Sequence, residues 1–282
     1  MQFLATGNMF SYPFMWKSLI AVLCLGVALP LMGLNMTTKR FSMIGDALSH
    51  TSLMGVAIGL LCGVMPTGIA IITSILAGVV IELIRSRFSK YAELALAIVM
   101  SISVGIAGIL TKYVSSSEFG AYLFGSVSLV SLSDLWVIIP VSLAVIVFSI
   151  VLYRANMYAA FNSYEAKISG LKVRYLAVAD TVFTAAAVAL ASSVIGSLVV
   201  SSLLVIPVAT ALQLCRSYRM TTLVSVGLSV LSGFLGLVIS FPWGTNSGAT
   251  IIVVATAFLL LALLYRGLRS LSVNIALRRK LK

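Results

Sequence analysis

Residues 41–62 read FSMIGDALSHTSLMGVAIGLLC. The stretch has the length a bilayer-crossing helix requires, about 20 residues, and its polar content is two ionisable side chains and a few small hydroxyls. Comparable apolar runs recur from Trp16 to Leu264 with short polar breaks between them. The chain of 282 residues is 61% hydrophobic and only 9% charged, with a mean hydropathy of +1.14. That composition lies outside the range of soluble globular domains and predicts a multi-pass membrane protein. The runs are continuously apolar rather than alternating over about 10 residues, so the spans are helices and not barrel strands.

The reading is therefore an all-α, polytopic transmembrane helical bundle, a single domain over residues 1–282. Nine spans are placed near 15–35, 41–62, 67–85, 92–112, 134–153, 175–193, 197–215, 221–240 and 248–265. The segment ASSVIGS between the sixth and seventh is a poor loop and fits a broken helix, so eight and ten spans are the alternatives. When the breaks after odd-numbered spans and the C-terminal tail are put on one side, that side holds every one of the 19 basic residues except Lys17 and Lys112. The positive-inside rule makes it cytoplasmic, with the N-terminus outside and the C-terminus inside. Trp16, Trp136 and Trp243 then fall at outer span ends, as an interfacial belt requires.

Orientation and attraction to anionic membrane lipid account for the +12 net charge, and no nucleic-acid partner is needed. The N-terminal segment has no basic residue before its apolar stretch and no small-residue cleavage pattern, so no removable signal peptide is read. Cys24, Cys62 and Cys215 stand in separate apolar segments and read as small buried hydrophobes.

No G-x-x-x-x-G-K-[ST] loop occurs, so the chain does not hydrolyse ATP by that route. One histidine excludes an HExxH metalloprotease and allows a Ser-His-Asp triad only through His50. Of seven acidic residues, Glu82 has Arg85 and Glu93 has Lys90 three positions away, which predicts local structural pairs. Glu118 and Asp134 belong to an outer connection, and Glu165 to the long inner loop 154–174. Asp46 and Asp180 remain within spans. Asp180 reads either as an interfacial, hydrogen-bonded residue or as part of a substrate path.

Asp46 and His50 lie one helical turn apart on one face, about 8 to 14 Å in from the start of the second span at 1.5 Å per residue. A charge at such depth costs about 2.5 to 3.5 kcal/mol and usually marks a bundle interior or a pathway. A carboxylate and an imidazole there form half of the ligand set of a divalent transition ion. The plain alternative is an Asp–His hydrogen bond between helices. In a two-fold dimer two copies would supply two Asp and two His around one axis. After His50, Gly55-x-x-x-Gly59-x-x-x-Gly63 forms a small-residue stripe for close helix approach. Pro207, in LLVIPVAT, is predicted to kink the seventh span, freeing a carbonyl that faces a cavity or is capped locally.

The stretch SMIGDALSHTSLMGVAIGLLCG (42–63) resembles the hallmark segment of permease subunits of bacterial zinc and manganese ABC importers, the metal ABC-3 family. AYLFGSVSLVSLSDLW (121–136), GSLVVSSLLVIPVATA (196–211) and SGATIIVVATAFLLL (247–261) are similar to that family in order and spacing. The resemblance implies a type II ABC importer-like permease in the bacterial cytoplasmic membrane. It implies a second permease subunit, two cytoplasmic ATPases and an extracytoplasmic metal-binding protein as partners. Asp46 and His50 match the family's metal path, and SYEAKISGLKV (163–173) its ATPase-coupling region, with Glu165 and Gly170 in matching places. One acidic residue usual before that Glu is missing here. No permanently bound cofactor is implied; the expected cargo is Zn2+ first and Mn2+ next, with imidazole leaning to zinc and carboxylate plus water suiting manganese. Two rivals stand beside this reading: an ATPase-independent secondary transporter, for which no convincing internal repeat is seen, and an intramembrane hydrolase built on Asp46 or Asp180.

Overall fold

The computed structural model describes residues 12–88, 92–114, 119–120, 122–123, 125, 130 and 132–280, the side chains of 92, 198 and 270–280 excepted. The outer connection (115–134), too apolar for an ordinary loop and expected to form an interfacial or re-entrant helix, falls with Glu118 largely outside the described residues, as does Lys90, the expected partner of Glu93. Eleven α-helices follow in order: α1 Pro13–Thr38, α2 Ile44–Cys62, α3 Pro66–Arg87, α4 Ala92–Leu110, α5 Leu132–Val151, α6 Tyr153–Phe161, α7 Ser163–Ile168, α8 Val173–Ile195, α9 Ser197–Leu214, α10 Tyr218–Trp243 and α11 Ser247–Lys280. No strand occurs among the described residues, as expected where water is absent and each backbone group must find its partner within its own helix.

Eight of these helices are long and apolar enough to cross a membrane. The ninth crossing is α9, shorter in its apolar part but about 27 Å long at 1.5 Å per residue. Only Gly196, at φ 100°, separates it from α8. This resolves the doubtful ASSVIGS boundary as a one-residue reversal, in a backbone region that an L side chain rarely adopts. The packing alternates accordingly. Tyr12 and Phe241, at the start of α1 and near the end of α10, bring their rings to 5.8 Å, while Tyr218, at the other end of α10, bonds Asn35 near the end of α1.

Helices α1 and α8 form the buried centre, with Leu25, Leu29, Met32 and Leu190 fully enclosed. α5, α6, α9 and α10 pack on α1, whereas α2 packs on α3, α4, α8 and α9. The glycine stripe of α2 explains its closeness to α3: a Cβ on Gly55 would lie 2.7 Å from the Ala70 Cα, and one on Gly59 2.8 Å from the Pro66 Cα. Hydroxyls add directional ties between helices, which matter where no hydrophobic drive separates one apolar surface from another. Thr51 bonds Ser103 of α4 at 3.0 Å, and the Ser74 hydroxyl of α3 donates to the Leu48 carbonyl at 3.3 Å.

Glu82 and Arg85 form the expected pair, with two parallel bonds of 2.9 and 2.8 Å. Cys24 and Cys215 are half-buried, but Cys62, at the end of α2, is exposed, because the helix stops there in a left-handed Gly63 cap; all three are free thiols. Gly55→Val should force α2 away from α3 and lower the stability of the purified protein by about 1–3 kcal/mol, read as a reduced thermal midpoint in detergent. Gly227→Val, where a Cβ meets nothing, should leave it within about 0.5 kcal/mol.

Candidate metal path and capped knob

Helix α2 begins at Ile44, three residues later than its apolar run, because the chain turns through Arg40 (φ 57°) and residues 41–43 before the helix starts. Asp46 is therefore in the first turn, about 3 Å from the helix start, and His50 about 9 Å. The carboxylate lies closer to the end of the span than the run of residues suggested. It also sits where the helix dipole favours negative charge.

Burial along α2 follows one line. Asp46, His50, Met54 and Ile58, each four residues from the last, are partly exposed, while every other residue from Ala47 to Gly59 is buried. Successive residues at this spacing form a single stripe down one face. Gly45, just before it, is pressed against Ser201 and Leu204 of α9. On α9, Ser201, Ser202, Val205, Ile206 and Ala209 are likewise partly open. α2 and α9 thus each leave an open face at their contact.

Neither Asp46 nor His50 has a side-chain hydrogen bond or ion pair among the described residues; only the Asp46 carbonyl is used, accepting from the Ser49 hydroxyl at 2.9 Å. The Asp–His hydrogen bond of the plain alternative is not formed. Nor does any group of three His, Cys, Asp or Glu side chains suited to a metal occur among the described residues of one chain. Two such side chains are fewer than the four or more ligands a divalent transition ion takes, so a metal at this stripe would need further ligands from water or another chain.

Asp180 is placed quite differently. It is fully buried on α8 and ion-paired with Lys39, just past the end of α1. The Asn156 amide of α6 donates to it at 2.9 Å and the Asn35 amide of α1 at 3.4 Å, while the Tyr218 hydroxyl of α10 donates to the Asn35 oxygen at 2.8 Å. Three helices, α1, α6 and α8, meet at this one carboxylate, and α10 joins them through Asn35. Pro207 is also buried, off the open face of α9, and the helix runs through it without interruption.

Glu165 and Gly170 belong to a capped knob. The Asn162 side chain accepts from the Tyr164 and Glu165 amides at 3.1 and 3.3 Å, opening α7. At its other end Gly170 adopts φ 89°, and the Gly170 and Leu171 amides close on the Lys167 and Ala166 carbonyls at 3.3 and 3.1 Å. This is a Schellman closure, and glycine relieves its strain. The knob rests on Ala166, Ala159 and Leu176, and presents Tyr164 and Ile168 outward, 73% and 70% exposed. Ile168 thus faces away from the chain while Leu171 packs under it. The cap was readable as N-x-x-E in 162–165. The Asp180 cluster had no such local signal.

The family model described as "ABC 3 transport family" matches residues 11–266. A probable metal transport system membrane protein of Treponema pallidum is 34% identical over 90% of this chain and 96% of its own length. The manganese transport system membrane protein MntC of Listeria innocua is 28% identical over 92% of each chain, and a probable iron transport system membrane protein of Haemophilus influenzae is 25% identical over 92% and 96%. Among solved structures, PsaBC from Streptococcus pneumoniae in complex with Fab superposes with a TM-score of 0.81 over 90% of this chain and 92% of that one, at 24% identity, so it bears on the fold alone. Among the described residues eight helices are long and apolar enough to cross a membrane, and the family model matches nearly the whole length: the chain belongs to the ABC 3 transport family.

Proposed function

We propose that this permease carries a divalent transition metal, manganese in the first instance, inward across the bacterial cytoplasmic membrane, with the N-terminus outside and the C-terminus in the cytoplasm. The observation that carries the reading is the partnerless Asp46–His50 pair on the open stripe of α2. An acid and an imidazole left unpaired beside lipid cost several kcal/mol unless something of opposite charge visits them. Two copies of the stripe facing each other would bring two carboxylates and two imidazoles to one cation, neutralising its charge. The imidazoles alone lean to zinc. The manganese and iron named for relatives, together with carboxylate and water as hard donors, favour manganese.

An extracytoplasmic binding protein would deliver the ion, and the knob at 163–170, with Glu165 and Gly170, would seat in a cytoplasmic ATPase. The exposed Tyr164 and Ile168 supply an apolar contact for a groove of that kind. Transport then requires the site to bind the ion more tightly when open outward than when open inward, since equal affinity in both states biases nothing. In this reading Asp180 serves the moving parts and not the cargo: it locks the inner ends of α1, α6 and α8 together.

Asp46→Asn and His50→Ala should each reduce manganese uptake in cells at least tenfold, with normal membrane insertion and ATPase association; uptake at the unaltered rate in both variants would sink the reading. Asp180→Leu should destabilise the purified protein by about 3–5 kcal/mol, because it strands the Lys39 ammonium, and Lys39→Met combined with it should recover most of that loss in the same melting assay. Asn162→Ala should loosen the knob by about 1 kcal/mol and weaken co-purification of the ATPase without changing manganese binding.

A further inference from the structure

We infer that an anionic phospholipid of the inner leaflet is bound at a specific site between the basic ends of α5, α6 and α10. A groove of about 440 Å³ opens there, lined by Ile150, Val151, Arg154, Arg219, Thr222 and Leu223. Its floor is apolar and faces outward, Ile150, Val151 and Leu223 being 66%, 71% and 69% exposed. Its mouth carries two guanidinium groups, and neither has an acidic partner among the described residues. The buried acid of this end, Asp180, is already occupied by Lys39. Two unpaired cations thus stand over an oily channel.

The level and the wall both suit a lipid. Arg154 follows the end of α5 by three residues and Arg219 is the second residue of α10, so both stand where spans leave the hydrocarbon and phosphodiesters lie. The groove is lined from α5, α6 and α10 and by no residue of α2, whose main contacts are α3, α4, α8 and α9, so it is separate from the candidate metal path. Acyl chains would run along Ile150, Val151 and Leu223. The phosphate would take the two guanidiniums, whose planar forks suit phosphate oxygens. A zwitterionic headgroup brings its own cation to two arginines and is disfavoured.

The groove touches the machinery described above. Tyr153 and Tyr218, each immediately before one of the arginines, pack edge to face with ring centroids 5.4 Å apart, and Tyr218 leads through Asn35 to Asp180. A bound headgroup therefore braces the joint between α6 and α10.

The test uses the full chain in nonionic detergent, titrated separately with phosphatidylglycerol and phosphatidylcholine and read by native mass spectrometry. Phosphatidylglycerol should bind roughly tenfold or more tightly than phosphatidylcholine, since each arginine at the membrane surface contributes an appreciable part of such a preference. Arg154→Gln/Arg219→Gln should abolish that preference and Arg154→Lys/Arg219→Lys should keep most of it. Arg87→Gln/Arg266→Gln, which removes the same charge elsewhere, should leave it unchanged. If the double glutamine variant does not fold, Arg154→Gln and Arg219→Gln alone should each weaken the preference at least about twofold. The inference is overturned if the preference survives loss of both arginines, or if the Arg87/Arg266 control loses it equally, which would mean diffuse surface charge. Displacement of phosphatidylglycerol by inorganic phosphate alone would also overturn it, by showing a site for free phosphate.

Discussion

A single buried carboxylate organises one end of this bundle. Asp180 has no access to solvent, and a carboxylate taken out of water is costly unless it is met by partners, here the Lys39 ammonium and two amides. The same requirement holds each partner in place: Lys39 must come in from beyond α1, Asn156 from α6, and Asn35 must be oriented by Tyr218. Helices that would otherwise slide along one another in lipid, where one apolar face is as good as another, acquire a fixed register. A buried ion pair is weak evidence for net stability, but it discriminates strongly between arrangements.

The opposite treatment of polarity on α2 follows from this contrast. The buried hydroxyls of α2 all have partners: Ser49 donates to the Asp46 carbonyl of its own helix, Thr51 meets Ser103 of α4, and Ser52 donates to the Ala189 carbonyl of α8. Asp46 and His50 alone are left without partners, on a helix whose other positions are clamped by Gly55 and Gly59 against α3. The rigid backing holds two donors a turn apart, at the geometry a cation would meet. Fixed and unsatisfied groups suit binding, and fixed and satisfied groups suit structure.

Much of this was legible in the residues. Long apolar runs determined helical spans, the glycine stripe announced a close helix contact, and Glu82 beside Arg85 was a pair in sequence before it was one in space. The interactions that escaped were non-local. Lys39 and Asp180 are separated by 141 positions and Asn35 and Tyr218 by 183, and nothing in either segment names its partner. Asp180 accordingly read as either an interfacial, hydrogen-bonded residue or a path residue; it is hydrogen-bonded, but its partners were invisible in the sequence. Helix α2 starts three residues into the run placed at 41–62, because Phe41 and Met43 of the preceding turn are apolar and hydrophobicity alone does not mark where the helix begins. The one-residue break at Gly196 lay at the limit of the same method: a reversal so short carries no polar stretch to betray it.

Asn162 is both the last cap of α6 and the first cap of α7. Because one residue closes the first helix and opens the second, the two have no slack between them. Under the proposed coupling, a push on the exposed face of α7 would be delivered along α6 to Asn156, and hence to Asp180, as in a bell crank with a single stiff elbow. A longer, softer joint would have absorbed the stroke.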